Sequence, residues 1–104
     1  MKAFQINPAT KEISEIEING DNAALVSLIG QPDVGFDEID DNGDRLYFDE
    51  ACFIREQPGA GRFKLDSLPP VAGIGVVAGH NAAKDAMADV CVSLEALRNR
   101  VKFL

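Results

Sequence analysis

Apolar and polar residues alternate along two segments at the start of the chain, residues 3–7 (AFQIN) and 13–18 (ISEIEI). A period of two is typical of a strand with one buried face. Between the segments, Pro8 fixes φ and the side chain of Asn7 can bond the backbone of the turn. The pattern therefore predicts an antiparallel β-hairpin.

The next apolar pattern has the i, i+3, i+4 spacing of a short helix, between Asn22 and Ile29. Asp21 is a favourable N-cap residue, because its carboxylate can accept a bond from an amide of the first turn. Gly30 suits the left-handed conformation that ends many helices. We expect a helix over residues 22–29.

Alternation returns at Val34–Ile39 and Arg45–Phe48, on either side of Asp41-Asn42-Gly43. Asn and Gly tolerate positive φ, so this triplet between two strand patterns predicts a second hairpin. The apolar residues 51–54 are expected to prolong its second strand.

Two further strands are predicted at residues 62–66 and 71–78, the second of which Gly73 and Gly75 interrupt. Residues 57–61 form a loop by composition.

The last quarter of the chain has two interpretations. A three-four spacing of apolar residues from 87 to 104 would suit one long helix. The β-branched residues around Cys91 instead favour a strand at Asp89–Val92, followed by a helix over Leu94–Phe103 with Ser93 as its N-cap. We prefer the second interpretation.

These elements predict an α+β fold, a mostly antiparallel sheet of five to seven strands with a short mid-chain helix and a C-terminal helix. The 104 residues are expected to form a single domain, residues 1–104. No apolar run approaches the roughly 20 residues of a membrane span, and the start lacks a signal peptide's apolar region. We therefore expect a cytoplasmic protein that binds no membrane.

Charge narrows the possible partners. Lys and Arg number 10 and Asp and Glu 17, which gives a formal net charge of −7. Because phosphate backbones are bound by cations, this balance argues against direct binding of nucleic acid. It favours a protein partner with a basic surface.

The segment DEIDDNGDRLYFDE, residues 37–50, resembles a calcium loop but departs from the pattern. With Gly43 at position 6, an EF-hand would begin at Glu38 and end at Asp49, where Asp and Glu are required instead. The flanking period is two and not helical, so we interpret the segment as an acidic hairpin without a metal. Its candidate partner-binding residues are Asp37, Glu38, Asp40, Asp41 and Asp44.

The other sequence patterns give no clear indication of a nucleotide, catalytic or metal site. Gly73–Gly79 is not a GxGxxG fingerprint, since its third glycine comes one residue late. Cys52 and Cys91 form no CxxC pair, and we expect both to be small buried residues and not a disulfide. No HExxH, GxSxG or paired-cysteine zinc pattern occurs, so the sequence predicts no catalytic residue and no cofactor.

Several segments of the chain, each of low specificity, are together similar to the sequences of one family. They are the opening MKAFQINPATKEISEIEI, a short helix ending in LIG, an acidic segment leading to LYFDE, the strand PPVAGIGVVAG and the ending VSLEALRNRVKFL. The chain resembles a family of small uncharacterised domains of bacteriophages, prophages and plasmid-bearing bacteria, a domain of unknown function. The resemblance implies a mobile-element origin and supports the strand-then-helix ending, and it transfers no catalytic residue.

Two functions therefore remain open. The leading hypothesis is a non-enzymatic accessory protein that binds a macromolecular partner through its acidic face. The alternative is a protein that binds a small ligand or nucleotide, or an enzyme on such a ligand, with a site near Arg55, Arg62 and His80. A pocket with converging Arg and His groups would favour the alternative, and a flat acidic face would favour the leading hypothesis. The sequence leaves the oligomeric state open.

Overall fold

The computed structural model describes residues 1–54 and 61–104. Within them the strands are β1 (Lys2–Asn7), β2 (Glu12–Glu17), β3 (Val34–Glu38), β4 (Arg45–Asp49), β5 (Arg62–Leu65), β6 (Val71–Ala72), β7 (Gly75–Asn81), β8 (Ala86–Ala88) and β9 (Val101–Phe103). The helices are α1 (Asn22–Ile29), α2 (Leu94–Arg100) and a short 3₁₀ helix, Glu50–Phe53. The predicted α+β class is confirmed, and the strand pairs of both sheets are antiparallel.

The larger sheet has the strand order β2-β1-β7-β4-β3, and β8 pairs with the far end of β7. The smaller sheet has the order β6-β5-β9. The strands β2 and β3 therefore lie at the two edges of the larger sheet.

The larger sheet buries both faces because its strands alternate between two apolar clusters. One face packs against the smaller sheet and α2, through side chains that include Phe4, Leu46, Phe63, Val77 and Leu97. The other face packs against α1, through side chains that include Ala3, Leu25, Ile29, Tyr47 and Val76. We call the second one the α1 face.

The first two predicted elements are confirmed. The strands β1 and β2 pair with Ile6 opposite Ile13. In α1 the Asp21 carboxylate accepts a 2.8 Å hydrogen bond from the amide of Ala24. Gly30 ends the helix at φ 78°, and its amide donates to the carbonyl of Val26.

The prediction that residues 51–54 prolong β4 is wrong. The chain turns into the 3₁₀ helix because the carboxylate of Asp49 accepts a hydrogen bond from the amide of Ala51 at 3.0 Å. The amide of Ile54 then donates to the carbonyl of Ala51. A side-chain cap, invisible to hydrophobic periodicity, ends the strand.

The single strand predicted over residues 71–78 is two strands in different sheets. Its first part, β6, pairs with β5, and β7 joins the larger sheet. Gly73 makes the crossing at φ 87°. Gly75 allows close packing, since a Cβ there would lie 2.6 Å from the ring of Phe63.

The strand predicted at Asp89–Val92 is also wrong, since the strand is β8, at Ala86–Ala88. Ser93 caps α2 as predicted, accepting a 3.1 Å bond from the amide of Ala96. The helix ends at Arg100 and not at Phe103, because Val101–Phe103 pairs with β5 as β9.

The predicted loop at 57–61 lies, apart from Gly61, outside the described residues. No helix within residues 1–54 and 61–104 has the length and apolar character needed to cross a bilayer.

Candidate functional site: a cleft beside the acidic hairpin

The acidic segment is a hairpin, as predicted. The strands β3 and β4 pair with Phe36 opposite Tyr47 and Glu38 opposite Arg45. Gly43 closes the turn at φ 100°, where a Cβ would lie 2.4 Å from the carbonyl oxygen of His80.

Asp44 is misassigned to the acidic face, because its side chain is inside the molecule at 0% exposure. Its two carboxylate oxygens accept hydrogen bonds from the amides of Cys91 and Val92, both at 2.8 Å. Charge-assisted bonds of this kind are about twice as strong as neutral ones. Asp44 therefore holds the chain before α2 and is not available to a partner.

Asp40 is engaged by Arg100. The guanidinium lies 2.9 Å from Asp40 and 2.6 Å from Asp66, and it also donates to the carbonyl of Ile39. The hydrogen bonds with Asp66, and then those with Asp40, raise the pKa of Arg100 above its ordinary value. Arg100 thus links the hairpin to the end of α2 and neutralises much of the charge of Asp40.

The remaining acidic residues do not share one face. Asp37 and Glu38 are neighbours on β3, so their side chains lie on opposite faces of the sheet. Asp37 is half-buried, Asp41 is exposed in the turn, and the side chain of Glu38 is 72% exposed. The acidic surface at the hairpin is therefore smaller than the sequence predicts.

We predict that calcium leaves the stability of the protein unchanged. Position 7 of an EF-hand supplies a backbone carbonyl. Here that carbonyl belongs to Asp44 and already accepts a 3.1 Å hydrogen bond from the amide of Ile39, while the Asp44 carboxylate accepts two amide hydrogen bonds. Millimolar calcium should therefore leave the melting temperature unchanged in a thermal scan. Because stabilisation by a ligand grows as RT ln(1 + [L]/Kd), a rise of several degrees would contradict the hairpin interpretation.

A cleft of about 450 Å³ opens on the α1 face, between α1, the β7–β8 hairpin and the strands β3 and β4. Its polar lining includes Arg45, His80, Asp85 and Asn22, and its apolar lining includes Leu25, Val34, Phe36, Tyr47 and Met87. Small-ligand sites are commonly concave, largely apolar and supplied with a few convergent polar groups. The cleft has this composition.

Arg45 lies on the wall of the cleft, with its guanidinium carbon 3.9 Å from the centre of the Phe36 ring. The Phe36 and Tyr47 rings are tilted neighbours with centroids 5.8 Å apart. The side chain of Arg45 is 17% exposed, and its ion-pair partner among residues 1–54 and 61–104 is Glu38, at 3.8 Å. Stacking on an aromatic ring fixes the guanidinium plane and leaves its N–H groups directed sideways.

His80 enters the cleft from β7. Its side chain is 12% exposed, and Nε2 lies 3.1 Å from a carboxylate oxygen of Asp85. Asp85 is exposed on the turn that leads to β8. The histidine is therefore oriented by a carboxylate and largely shielded from water.

Two members of the proposed site near Arg55, Arg62 and His80 can be located, and Arg62 and His80 do not line the same cavity. Arg62 borders a different cavity of about 250 Å³, with Cys52, Pro69, Pro70 and Ala72. Arg55 lies outside the described residues. The arginine that shares a cleft with His80 is Arg45, which the sequence alone did not single out. The hairpin pattern contained a signal for Arg45. Arg45 and Tyr47 alternate along the second strand and therefore lie on the same face, opposite Glu38 and Phe36 of the first strand.

The two cysteines differ in their surroundings, and both are free. Cys52 is buried as predicted, whereas Cys91 is exposed, which corrects the expectation that both are buried. Desolvation and the neighbouring Asp44 carboxylate raise the pKa of the Cys91 thiol. Both effects disfavour the thiolate, which is the nucleophilic form of a cysteine.

Comparison of the sequence and the structure with known proteins identifies no relative of this chain. The chain matches no family model, no curated protein and no solved structure. The resemblance to phage and plasmid domains stays a prediction from the sequence motifs.

Proposed function

We propose that this protein binds a small molecule with an anionic group in the cleft, and that Arg45 receives the anion. One observation carries the proposal. Within residues 1–54 and 61–104, the Arg45 guanidinium has no hydrogen-bond acceptor, although its side chain is mostly buried.

The comparison with Arg100 shows why this observation matters. Arg100 has a similar exposure, and its three guanidinium nitrogens donate to Asp66, Asp40 and the carbonyl of Ile39. The hydrogen-bond donors of Arg100 are thus satisfied within the protein. Arg45 contacts Phe36, and its one ion-pair partner among the described residues, Glu38, is exposed and lies at 3.8 Å, too far for a hydrogen bond. A guanidinium presents paired donors that match a carboxylate or a phosphate.

The rest of the cleft suits a small organic ligand. Tyr47, Leu25 and Met87 supply apolar surface next to the charge. His80 adds a second nitrogen-bearing group on the same face as Arg45. We propose binding without catalysis, because the described cleft residues include no cysteine or serine nucleophile beside His80.

Tyr47 offers a direct test, since it is the only tyrosine and the chain has no tryptophan. Its emission therefore reports on the cleft wall. We expect saturable changes in tyrosine fluorescence with benzoate or phenyl phosphate, and weaker binding of inorganic phosphate, which lacks apolar surface. Arg45→Gln should weaken binding about 10- to 100-fold, as the loss of a charge-assisted hydrogen bond implies.

Arg62→Gln is the matched control, because it removes an exposed arginine outside the cleft. It should leave the fluorescence titration unchanged. If no probe changes the Tyr47 signal, or if Arg45→Gln binds as well as the unaltered protein, the cleft is not an anion site.

We also propose a second candidate function, the binding of a protein partner at the acidic hairpin. Its supporting observation is that Glu38 and Asp41 remain exposed after Asp44 and Asp40 are assigned to the fold. Both lie at or beside β3, an edge strand. Charge reversal at these two positions should weaken such a partner without unfolding the protein.

A further inference from the structure

The backbone hydrogen bonds of the hairpin show which groups of β3 point away from the sheet. The amide of Ile39 donates to the carbonyl of Asp44, and the amide of Glu50 donates to the carbonyl of Asp33. In an antiparallel pair, such hydrogen-bonded positions alternate along the strand. The odd-numbered residues of β3 therefore bond to β4, and the backbone groups of Val34, Phe36 and Glu38 point outward.

No neighbouring strand takes up these outward groups among the residues that the structure describes, since β3 ends the sheet order. An open edge is a template for a further strand. Its three outward residues also direct their side chains to the α1 face, where Val34 and Phe36 line the cleft. Phe36 is 45% exposed, so within the described residues this edge presents an uncovered aromatic side chain next to its outward backbone groups.

The negative charge around the β3 edge favours a basic partner. Asp37 and Glu38 lie on β3 and Asp41 follows it, within a chain of net charge −7. The other edge of the sheet, β2, is also acidic, but there Glu15 lies 3.5 Å from Lys2 and Glu17 lies 3.4 Å from the N-terminal amine. On the β3 edge, Glu38 lies 3.8 Å from Arg45, and neither Asp37 nor Asp41 has an ion pair among the described residues. The β3 edge therefore keeps acidic groups that no cation of the described chain neutralises.

We infer that β3 docks an extended basic peptide, which adds to the larger sheet as a further strand. The inference rests on the second proposed function and names its partner class and binding mode. Backbone bonds to Val34, Phe36 and Glu38 supply the pairing, and lysine or arginine side chains of the peptide meet the acidic flank. A residue of the peptide that points to the α1 face would pack on Phe36.

A second copy of the chain is a poorer occupant of this edge. Pairing β3 with β3 would bring together two chains that each carry a net charge of −7. Like charges that meet at a strand interface oppose association. A basic segment instead gains from the same field, which also speeds its encounter with the edge.

The test uses nine-residue peptides and the full chain, labelled with ¹⁵N. The probes are a peptide alternating lysine and threonine, its glutamate counterpart, and the lysine peptide with its central amide nitrogens methylated. We expect the lysine peptide to shift the amides of Val34, Phe36 and Glu38 and to slow their hydrogen exchange. The glutamate and methylated peptides should each bind at least tenfold more weakly.

Two substitutions of Glu38 distinguish the contribution of its backbone N–H to peptide binding from that of its charge. Glu38→Pro removes an outward N–H, which an edge strand tolerates, whereas Glu38→Gln removes only the charge. We expect Glu38→Pro to weaken the lysine peptide at least tenfold relative to Glu38→Gln. Thermal scans check that both variants stay folded. If Glu38→Pro does not fold, the methylated peptide alone decides whether backbone pairing is needed.

The possible failures are distinguishable. If the lysine and glutamate peptides bind equally, the acidic face is not a binding surface and the second proposed function fails. If the lysine peptide binds but the methylated peptide binds as well, or the shifts lie on β2, strand addition at β3 is overturned while the acidic face stands.

Discussion

Asp44→Ala is expected to lower the free energy of unfolding by about 2–6 kcal/mol. The substitution leaves the amides of Cys91 and Val92 without their carboxylate acceptors, and a buried donor left unpaired costs about 1–3 kcal/mol. A small domain has a total stability of about 5–15 kcal/mol, so this loss is a large share. Urea denaturation monitored by circular dichroism measures it.

Asp41→Ala is the matched control for this substitution. Asp41 is an exposed aspartate in the same turn, and its loss should change the stability by no more than about 0.5 kcal/mol. Asp44→Asn should fall between the two, because an amide offers one acceptor oxygen where the carboxylate offers two. Equal stability of the Asp44 and Asp41 variants would show that the carboxylate does not hold residues 91 and 92.

The elements that were predicted correctly depend on short-range patterns. The hairpin of β1 and β2 follows from alternation, and α1 follows from its spacing together with Asp21 and Gly30 at its ends. Such signals lie within a few residues of the element that they specify. No distant part of the chain has to be known to interpret them.

The elements that were predicted wrongly depend on partners far away in the chain. The segment Asp89–Val92 has a strand-like composition, but its Cys91 and Val92 amides are bonded to Asp44, 47 and 48 residues earlier. The last residues of the predicted helix pair with β5 instead. In both places a tertiary hydrogen bond decides the outcome, and periodicity contains no information about it.

The candidate site shows the same limit. The composition of the hairpin marks Asp44 and Asp41 as equivalent, yet one is buried and the other exposed. Arg45 could have been found from the hairpin register, which places it across from Glu38. Its unused donors could not, because they depend on which acceptors the folded chain brings near.

Leu97→Ala is expected to cost about 2–5 kcal/mol, the usual range for removing a buried leucine side chain. Leu97 is fully buried on α2, in the cluster with Phe4, Phe63 and Val77 between the two sheets. Since α2 runs directly into β9, a cavity under the helix should also weaken the pairing of β9 with β5. Hydrogen exchange of the β9 amides should therefore accelerate together with the fall in the denaturation midpoint.

Arg98→Ala, at an exposed position of the same helix, should change the stability little. The cleft supplies a second control, because it lies on the α1 face, across the larger sheet from Leu97. The Tyr47 emission of the folded Leu97 variant should match that of the unaltered protein. A thermally silent Leu97→Ala would mean that α2 does not close the core, and its apolar face would then be free to contact a partner.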